Sequence, residues 1–228
     1  MRAALAFFLL AATAVPAHAA TRNYSVSSFT SIRVDGPYDV KLTTGVAPYA
    51  RAVGDWSAID KVSLSVEGQT LVIRPPAGEP LKATGGTIRI EVGTADLAKA
   101  ALNGSGRLAI DKVRGLKFDL TVAGAGTVDI AGMDVDQLTV GLIGVAGSRL
   151  GGKAKSVRAI VRGTSTLDAS GLQTNNMKLG AEGAAVARLN VRDTLDLQAA
   201  GPATIAVDGS PACTVKIQGA ASVSGCKD

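Results

Sequence analysis

Six aspartates in the second half of the chain are the residues best suited to acid–base chemistry. They are Asp129, Asp134, Asp136, Asp168, Asp193 and Asp196. Two carboxylates flanking a glycosidic bond can hydrolyse it, and clustered carboxylates bind Ca²⁺, so a polysaccharide lyase or hydrolase is one function to consider. The only histidine, His18, lies within the first twenty residues, so we expect no histidine-dependent catalysis and no histidine-ligated metal in the rest of the chain. The coils also lack the regularly placed aspartates of calcium-binding glycine repeats, and we expect no metal site and no cofactor.

Aromatic side chains that could stack on a sugar or a partner lie near the start of the exported chain. They are Tyr24, Phe29, Tyr38, Tyr49 and Trp56. Tyr and Trp are frequent at binding surfaces because each combines apolar area with a polar group. Large aromatic residues are more often packed than displayed, so these rings could instead fill the first part of the core. The candidate binding residues are Tyr38, Tyr49 and Trp56.

A repeat must position these side chains. Glycines recur every 18–20 residues, at Gly104, Gly124, Gly144, Gly163, Gly183, Gly201 and Gly219. Apolar residues lie two and four positions before nearly every one and four and six positions after it, with Ser148 and Gly225 as the exceptions. Spacing by two is typical of β-strands, so we predict two short strands in each coil, one on either side of the glycine corner. The step is too short for βαβ units or helical repeats. The sequence therefore predicts an all-β, single-domain, right-handed parallel β-helix, a β-solenoid with 18–20-residue coils.

One outward column of this predicted stack alternates in charge. The residues five positions after successive glycines include Asp129, Arg149, Asp168 and Arg188. Neighbouring coils are about 4.8 Å apart, so the unlike charges would attract and favour the correct register. Asp129 and Asp168 would then be about 9–10 Å apart with Arg149 between them, which is wide for an inverting glycosidase pair. The alternation favours a structural role over catalysis.

The strands before the regular coils follow a different pattern. "FTSIRVDGPYDVKLTTG" predicts strands around 32–34 and 40–42, "VSLSVEGQTLVIRPP" predicts a pair joined at 67–68, and "GGTIRIEVG" predicts another strand. We expect residues 24–100 to form wider, less regular coils that cover the N-terminal end of the stack formed by residues 100–226. The domain as a whole would span residues 21–228.

Residues 1–20, "MRAALAFFLLAATAVPAHAA", have the charged start, apolar run and small-residue end of a secretory signal peptide. We expect cleavage after Ala19 or Ala20, and export to the periplasm, the outer surface or the extracellular space. The apolar run is too short to span a membrane, so no transmembrane segment is expected. The chain has 24 basic and 19 acidic residues that alternate in sign, so nucleic acid is not an expected partner.

The two cysteines, Cys213 and Cys226, lie close together near the C-terminus. An exported protein enters an oxidising compartment, where paired cysteines normally form a disulfide. Their spacing is not that of a C-x-x-C redox motif. We therefore expect one structural disulfide that pins the C-terminal end of the stack.

The N-terminal strands together with the glycine coils resemble a known family. "FTSIRVDGPYDVKLTTG", followed by "WSAIDKVSLSVEGQTLVIRP" and then by "GSG" and "GAG" coils, is similar to the bacterial putative auto-transporter adhesin, head GIN domain family. The resemblance covers about residues 28–225. It implies a secreted or envelope protein with one β-helix domain and without an established enzymatic activity.

These observations predict an exported, non-enzymatic cell-envelope protein, either adhesin-like or a scaffold. Its expected partner is an envelope glycan or protein bound through its surface, and a second copy of the chain is another candidate partner. The alternative is a β-helix polysaccharide lyase or hydrolase. A groove that holds two carboxylates and an aromatic would favour the enzyme, whereas a flat charged ladder would favour the scaffold.

Overall fold

A computed structural model describes residues 20–76, 78 and 88–226, and 73% of these residues lie in β-strands. The predicted leader lies outside the described residues except for Ala20, which begins the first strand. Most of the linker-like stretch 74–86 also lies outside them. In chain order the elements are β1 (Ala20–Tyr24), β2 (Ser31–Asp35), β3 (Asp39–Thr44), β4 (Tyr49–Gly54), α1 (Trp56–Ile59), β5 (Ser63–Glu67), β6 (Thr70–Arg74), β7 (Arg89–Thr94), β8 (Lys99–Gly104), β9 (Arg107–Gly124), β10 (Thr127–Gly144), β11 (Gly147–Gly163), β12 (Thr166–Glu182), β13 (Val186–Ala200), β14 (Thr204–Asp208), β15 (Ala212–Gln218) and β16 (Ser222–Ser224).

The strands stack as a β-solenoid of about six turns in a single sheet, which confirms the predicted fold class. From β9 to β13 each strand follows almost a whole coil and pairs in parallel with the next coil. We predicted two short strands in each coil, but these strands are 15–18 residues long. They are longer because inter-coil pairing continues around the bends. The right-handed winding stays a prediction from the usual crossover preference.

The recurring glycines form one corner of the stack, as their spacing predicts. Gly144 pairs with Gly124 on one side and Gly163 on the other. Its φ is +102°, a conformation that residues with a side chain rarely adopt. A Cβ on Gly144 would also lie 2.7 Å from the carbonyl oxygen of Gly124. Close backbone stacking and positive φ therefore both require glycine at this corner.

The core is a set of columns in which equivalent side chains of neighbouring coils lie on one another. Val122, Leu142 and Val161 form one such column, and all three are fully buried. Ser148 interrupts another column between Val128 and Leu167, and no hydrogen-bond partner of its Oγ exists among the described residues. The sequence identified Ser148 as an exception, and the structure places its hydroxyl inside the apolar core.

The N-terminal strands belong to the same stack, but their order along it differs from their order in the chain. Strands β2 and β3 pair in parallel with β8 and β9, so together they form one coil. Their other edges pair with β6 and β7, which lie one coil further out. Antiparallel strands then follow, with β5 on β6, β4 on β7 and β1 on β4. The chain therefore starts on the outermost strand, β1, continues into an inner coil with β2 and β3, and returns to the N-terminal end of the stack with β4–β7.

The C-terminal end of the stack is less covered. Strands β15 and β16 pair with β13 and β14, respectively. Val215 and Ile217 of β15 occupy core columns but are 38% and 47% exposed, whereas Leu197 one coil earlier is fully buried. A disulfide joins Cys213 to Cys226, as expected, with the Cα atoms 5.7 Å apart. It fastens this last coil to the segment after β16.

Candidate binding surface

Tyr38 is a core residue. Its side chain is 5% exposed, and its phenol donates a hydrogen bond to the carbonyl oxygen of Lys61 at 3.2 Å. Burial raises the pKa of Tyr38 to about 12, because the ionised phenolate would lose its hydration. Tyr38 therefore does not present its ring to a ligand, and its burial corrects the prediction that Tyr38 is a binding residue. Its ring instead packs in the core, which was the other role considered for these aromatic residues.

Tyr49 and Trp56 are exposed, but they are not brought together. Tyr49 begins β4, Trp56 follows its end, and strand geometry separates them by about 20 Å. The ring of Tyr49 covers Gly93 on the neighbouring strand, since a Cβ on Gly93 would lie 2.2 Å from Tyr49 Cε1. That packing gives Tyr49 a structural role. Trp56 is 63% exposed, and a binding role for Trp56 stays a prediction.

The alternating column has the register predicted from the sequence. Asp129, Arg149, Asp168 and Arg188 lie opposite one another on successive coils, and we call them the charge ladder. Arg149 Nε lies 3.5 Å from Asp168 Oδ2, whereas Asp129 forms its ion pair with Arg107. Hydrogen bonds from Ser170 and the charge of Arg149 hold the pKa of Asp168 below its usual value. The Asp168 carboxylate is therefore stabilised as an anion.

The remaining aspartates also lie beside basic residues. Asp136 pairs with Lys155 at 2.7 Å, Asp193 with Arg192 at 2.9 Å, and Asp196 with Lys178 at 3.8 Å. Asp134 lies between Arg114 and Lys153 on the adjacent strands. Within residues 20–76, 78 and 88–226, no three His, Cys, Asp or Glu side chains are grouped so as to hold a metal ion.

Another outward face carries a surface depression that runs across successive coils near the C-terminal end. We call it the polar groove. Its outward-facing polar residues are Ser156, Arg158, Asn176, Lys178, Thr194, Asp196 and Thr214. Strand pairing places them in two columns, Ser156–Asn176–Thr194 and Arg158–Lys178–Asp196–Thr214. Each coil from β11 to β13 thus contributes one hydroxyl or amide group and one charged group.

Exposed aliphatic side chains lie beside the polar groove. Ile143, Val145 and Ile160 are 48%, 63% and 42% exposed, and we call them the aliphatic patch. Ile160 lies between Gly141 and Gly180 on the adjacent coils, so no neighbouring side chain in its column covers it. Contiguous exposed apolar residues often mark an interaction site. Ile160 lies on the same outward face as the groove, because it follows Arg158 by two residues on the same strand, whereas Val145 lies in the bend after Gly144.

Apart from Asp196, which is one of the six candidate acids, the groove residues were not among the predicted sites. They lie five and seven positions before the recurring glycines, at Gly163, Gly183, Gly201 and Gly219. The charge alternation that predicted the ladder concerns a different outward column, five positions after the glycines. The same alignment of the repeats, extended to the outward positions before the glycines, contains the signal for both groove columns.

No helix in the part of the chain that the structure describes is long and apolar enough to cross a membrane.

The fold is shared with solved structures of low sequence identity. A putative adhesin from Bacteroides fragilis matches with a TM-score of 0.80 and 18% identity, covering 90% of this chain and 96% of that one. A putative lipid binding protein from Parabacteroides distasonis matches with a TM-score of 0.69 and 20% identity, covering 91% and 96%. A putative adhesin from Parabacteroides merdae matches with a TM-score of 0.65 and 15% identity, covering 91% and 96%. At these identities the likeness establishes the fold alone.

No curated protein matches the chain. The family model described as putative auto-transporter adhesin, head GIN domain, matches residues 28–211, which are most of the chain. This match agrees with the resemblance of the N-terminal strands and the glycine coils. The chain therefore belongs to the putative auto-transporter adhesin, head GIN domain family.

Proposed function

We propose that this protein is an exported, non-enzymatic module of the cell envelope, adhesin-like or a scaffold, that binds a glycan or another protein through the outer faces of its solenoid. The observation that carries the proposal is the polar groove, where stacked coils hold Ser156, Asn176 and Thr194 in register beside a charged column. Such a surface is rigid before binding, so less conformational entropy is lost on association.

The charge ladder argues against the glycosidase alternative. An inverting enzyme needs one carboxyl group that stays protonated near neutral pH, so that it can act as the general acid. Asp129 and Asp168 are instead separated by Arg149, and each is ion-paired with an arginine. The lowered pKa of Asp168 makes it a poorer proton donor.

The adhesin description of the family supports a location outside the cytoplasm. We propose that residues 1–20 direct export and are removed, which leaves a domain of residues 21–228 in the periplasm, on the outer surface or in the medium.

Lipid binding is a second candidate function. One structural neighbour, from Parabacteroides distasonis, is described as a putative lipid binding protein. The aliphatic patch of Ile143, Val145 and Ile160 is the observation on this chain that favours it, because exposed apolar groups can enter a lipid surface.

A glycan array and a pull-down from envelope extract, both with the purified exported protein, test the main proposal. Trp56→Ala is compared with Leu116→Ala, a control that also truncates a highly exposed apolar residue. Saturable binding lost only in Trp56→Ala would place the site beside α1. Binding that survives both substitutions would favour the coil faces.

The same preparation is incubated with a panel of polysaccharides, and the products are analysed for cleavage. Cleavage would favour the lyase or hydrolase alternative. Absence of any glycan or protein ligand would contradict the binding proposal and would leave a structural envelope role.

A further inference from the structure

The polar groove contains a like-charged pair that the fold does not need. Arg158 on β11 lies directly opposite Lys178 on β12. Like charges opposite each other on adjacent strands destabilise a sheet, whereas the charge ladder places unlike charges in the equivalent positions. Two cations side by side form a favourable site for an anionic group that binds between them.

The two cations differ in how they are neutralised by the protein. Lys178 Nζ lies 3.8 Å from Asp196 Oδ2, a distance that leaves its donors largely available. Arg158 forms no ion pair within the described part of the chain. A guanidinium group can bind a carboxylate with two parallel hydrogen bonds. Arg158 is thus the strongest free donor lining the polar groove.

The neighbouring column adds hydrogen-bond donors at the same spacing. The hydroxyl of Thr194 donates to Asn176 Oδ1 at 2.6 Å. The NH₂ group of Asn176 forms no hydrogen bond among the described residues, so it can donate to a ligand. Ser156 supplies a hydroxyl on the preceding coil. Donors therefore recur along the groove at the coil spacing of about 4.8 Å.

We propose that the polar groove binds a linear, carboxylate-bearing polysaccharide, with a carboxylate between Arg158 and Lys178 and sugar hydroxyls on Asn176 and Ser156. A linear polymer fits this groove because the polar groups of the groove recur at the coil spacing along one straight face. This inference rests on the proposed function and names its ligand class and its site.

Asp196 narrows the class of ligand further. It lies next to Lys178 in the charged column, two coils from Arg158. A DNA backbone carries a phosphate at every unit and no free hydroxyl groups, so it would place negative charge against this carboxylate with no hydrogen bond to offset the repulsion. Each sugar of a carboxylate-bearing polysaccharide also carries hydroxyl groups, and these can donate to Asp196 and Thr214.

Isothermal titration calorimetry of the exported protein with polygalacturonate, and with uncharged dextran as a control, tests the proposal. The variants are Arg158→Gln and Lys178→Gln, with Arg188→Gln as the matched control. Arg188 is an exposed arginine of the charge ladder and also forms no ion pair among the described residues. Circular dichroism shows whether every variant folds.

The expected result is binding of polygalacturonate but not dextran, with affinity falling about tenfold or more in each groove variant, as for loss of one charged hydrogen bond. Arg188→Gln should retain affinity within about twofold. Equal losses in all three variants would indicate non-specific attraction and overturn the proposal. Polygalacturonate that does not bind would overturn it as well.

Two further measurements separate this inference from the proposed function. If a ligand found on the glycan array binds the groove variants as tightly as the unmodified protein, the binding function stands and this site is wrong. Co-sedimentation with phosphatidylglycerol vesicles tests a lipid surface. Vesicle binding that depends on Arg158 and Lys178, without polysaccharide binding, would overturn the ligand class and favour the lipid candidate.

Discussion

Arg158 lies directly opposite Lys178 on the neighbouring coil, whereas Arg149, nine residues before Arg158 on the same strand, lies opposite Asp168. Both pairs lie between β11 and β12, on either side of a one-residue register shift after Arg149, and they differ in the sign of the interaction. Arg149 Nε is 3.5 Å from Asp168 Oδ2, which is an attractive contact. The Arg158–Lys178 contact is repulsive, so its presence needs an explanation other than the stability of the solenoid.

Removal of the repulsive charge should stabilise the protein in the absence of ligand. We expect Arg158→Gln to raise the melting temperature by about 1–3 °C, because it removes a like-charge pair worth a fraction of a kcal/mol. Arg149→Gln is the control and should lower the melting temperature or leave it unchanged. Thermal unfolding followed by circular dichroism at low salt measures both. A lower melting temperature in Arg158→Gln would mean that this arginine is a structural residue.

The glycine corner should not tolerate a side chain. Gly144→Ala places a Cβ 2.7 Å from a neighbouring carbonyl oxygen at a φ of +102°, so we expect a loss of about 2–3 kcal/mol in the free energy of unfolding. Gly180→Ala is the matched control, since nothing lies within 4 Å of its Cβ position. Its effect should stay within about 0.5 kcal/mol. Urea denaturation of the two variants provides the comparison, and equal effects would contradict the stacking argument.

The buried hydroxyl of Ser148 should reduce stability. Its Oγ has no partner among the described residues, so Ser148→Ala should increase the free energy of unfolding by about 1 kcal/mol. Ser165 is the contrasting case, because its Oγ accepts a hydrogen bond from the amide of Ala146 and lies 2.9 Å from the carbonyl oxygen of Arg162. Ser165→Ala should be destabilising by about 1–3 kcal/mol. Chemical denaturation of both variants measures the two changes in the free energy of unfolding. Changes of the same sign would contradict the inference that the Ser148 hydroxyl is buried without a partner.

Because Tyr38 is buried, the free energy of unfolding should fall at alkaline pH. The pKa of Tyr38 is raised from 10.0 to about 12 in the folded protein, so the unfolded chain loses this proton first. The stability that protonated Tyr38 contributes to the free energy of unfolding is fully present below pH 10 and is lost as the pH rises through 12. Between pH 9 and pH 11 the loss from this group is about 1 kcal/mol.

Tyr38→Phe removes this titration together with the hydrogen bond to Lys61. We expect the variant to be less stable at pH 9 but to lose less stability than the unmodified protein on going to pH 11. Urea denaturation at the two pH values measures the difference. Parallel losses in the two proteins would show that Tyr38 ionises normally in the folded state.

Much of the architecture follows from the sequence, because a solenoid repeats its packing problem in every coil. The glycine spacing and the apolar residues two apart predicted the coil length, the parallel stacking and the neighbours of Asp168. The spacing of Cys213 and Cys226 near one end predicted the disulfide. These are local features, and each is repeated or paired within a short stretch of chain.

The tertiary structure alone decided three other features. It placed β6 and β7 outside β2 and β3, an order that depends on strand pairing between distant segments. It buried Tyr38, whose hydrogen-bond partner Lys61 lies 23 residues away in the sequence, and it left Trp56 exposed. It also showed that the Arg158–Lys178 column, whose register follows from the glycine alignment, borders a surface depression, the polar groove. The sequence by itself determined the repeating unit, while side-chain contacts between coils, and the end strands that cover them, determined which surface is available to a ligand.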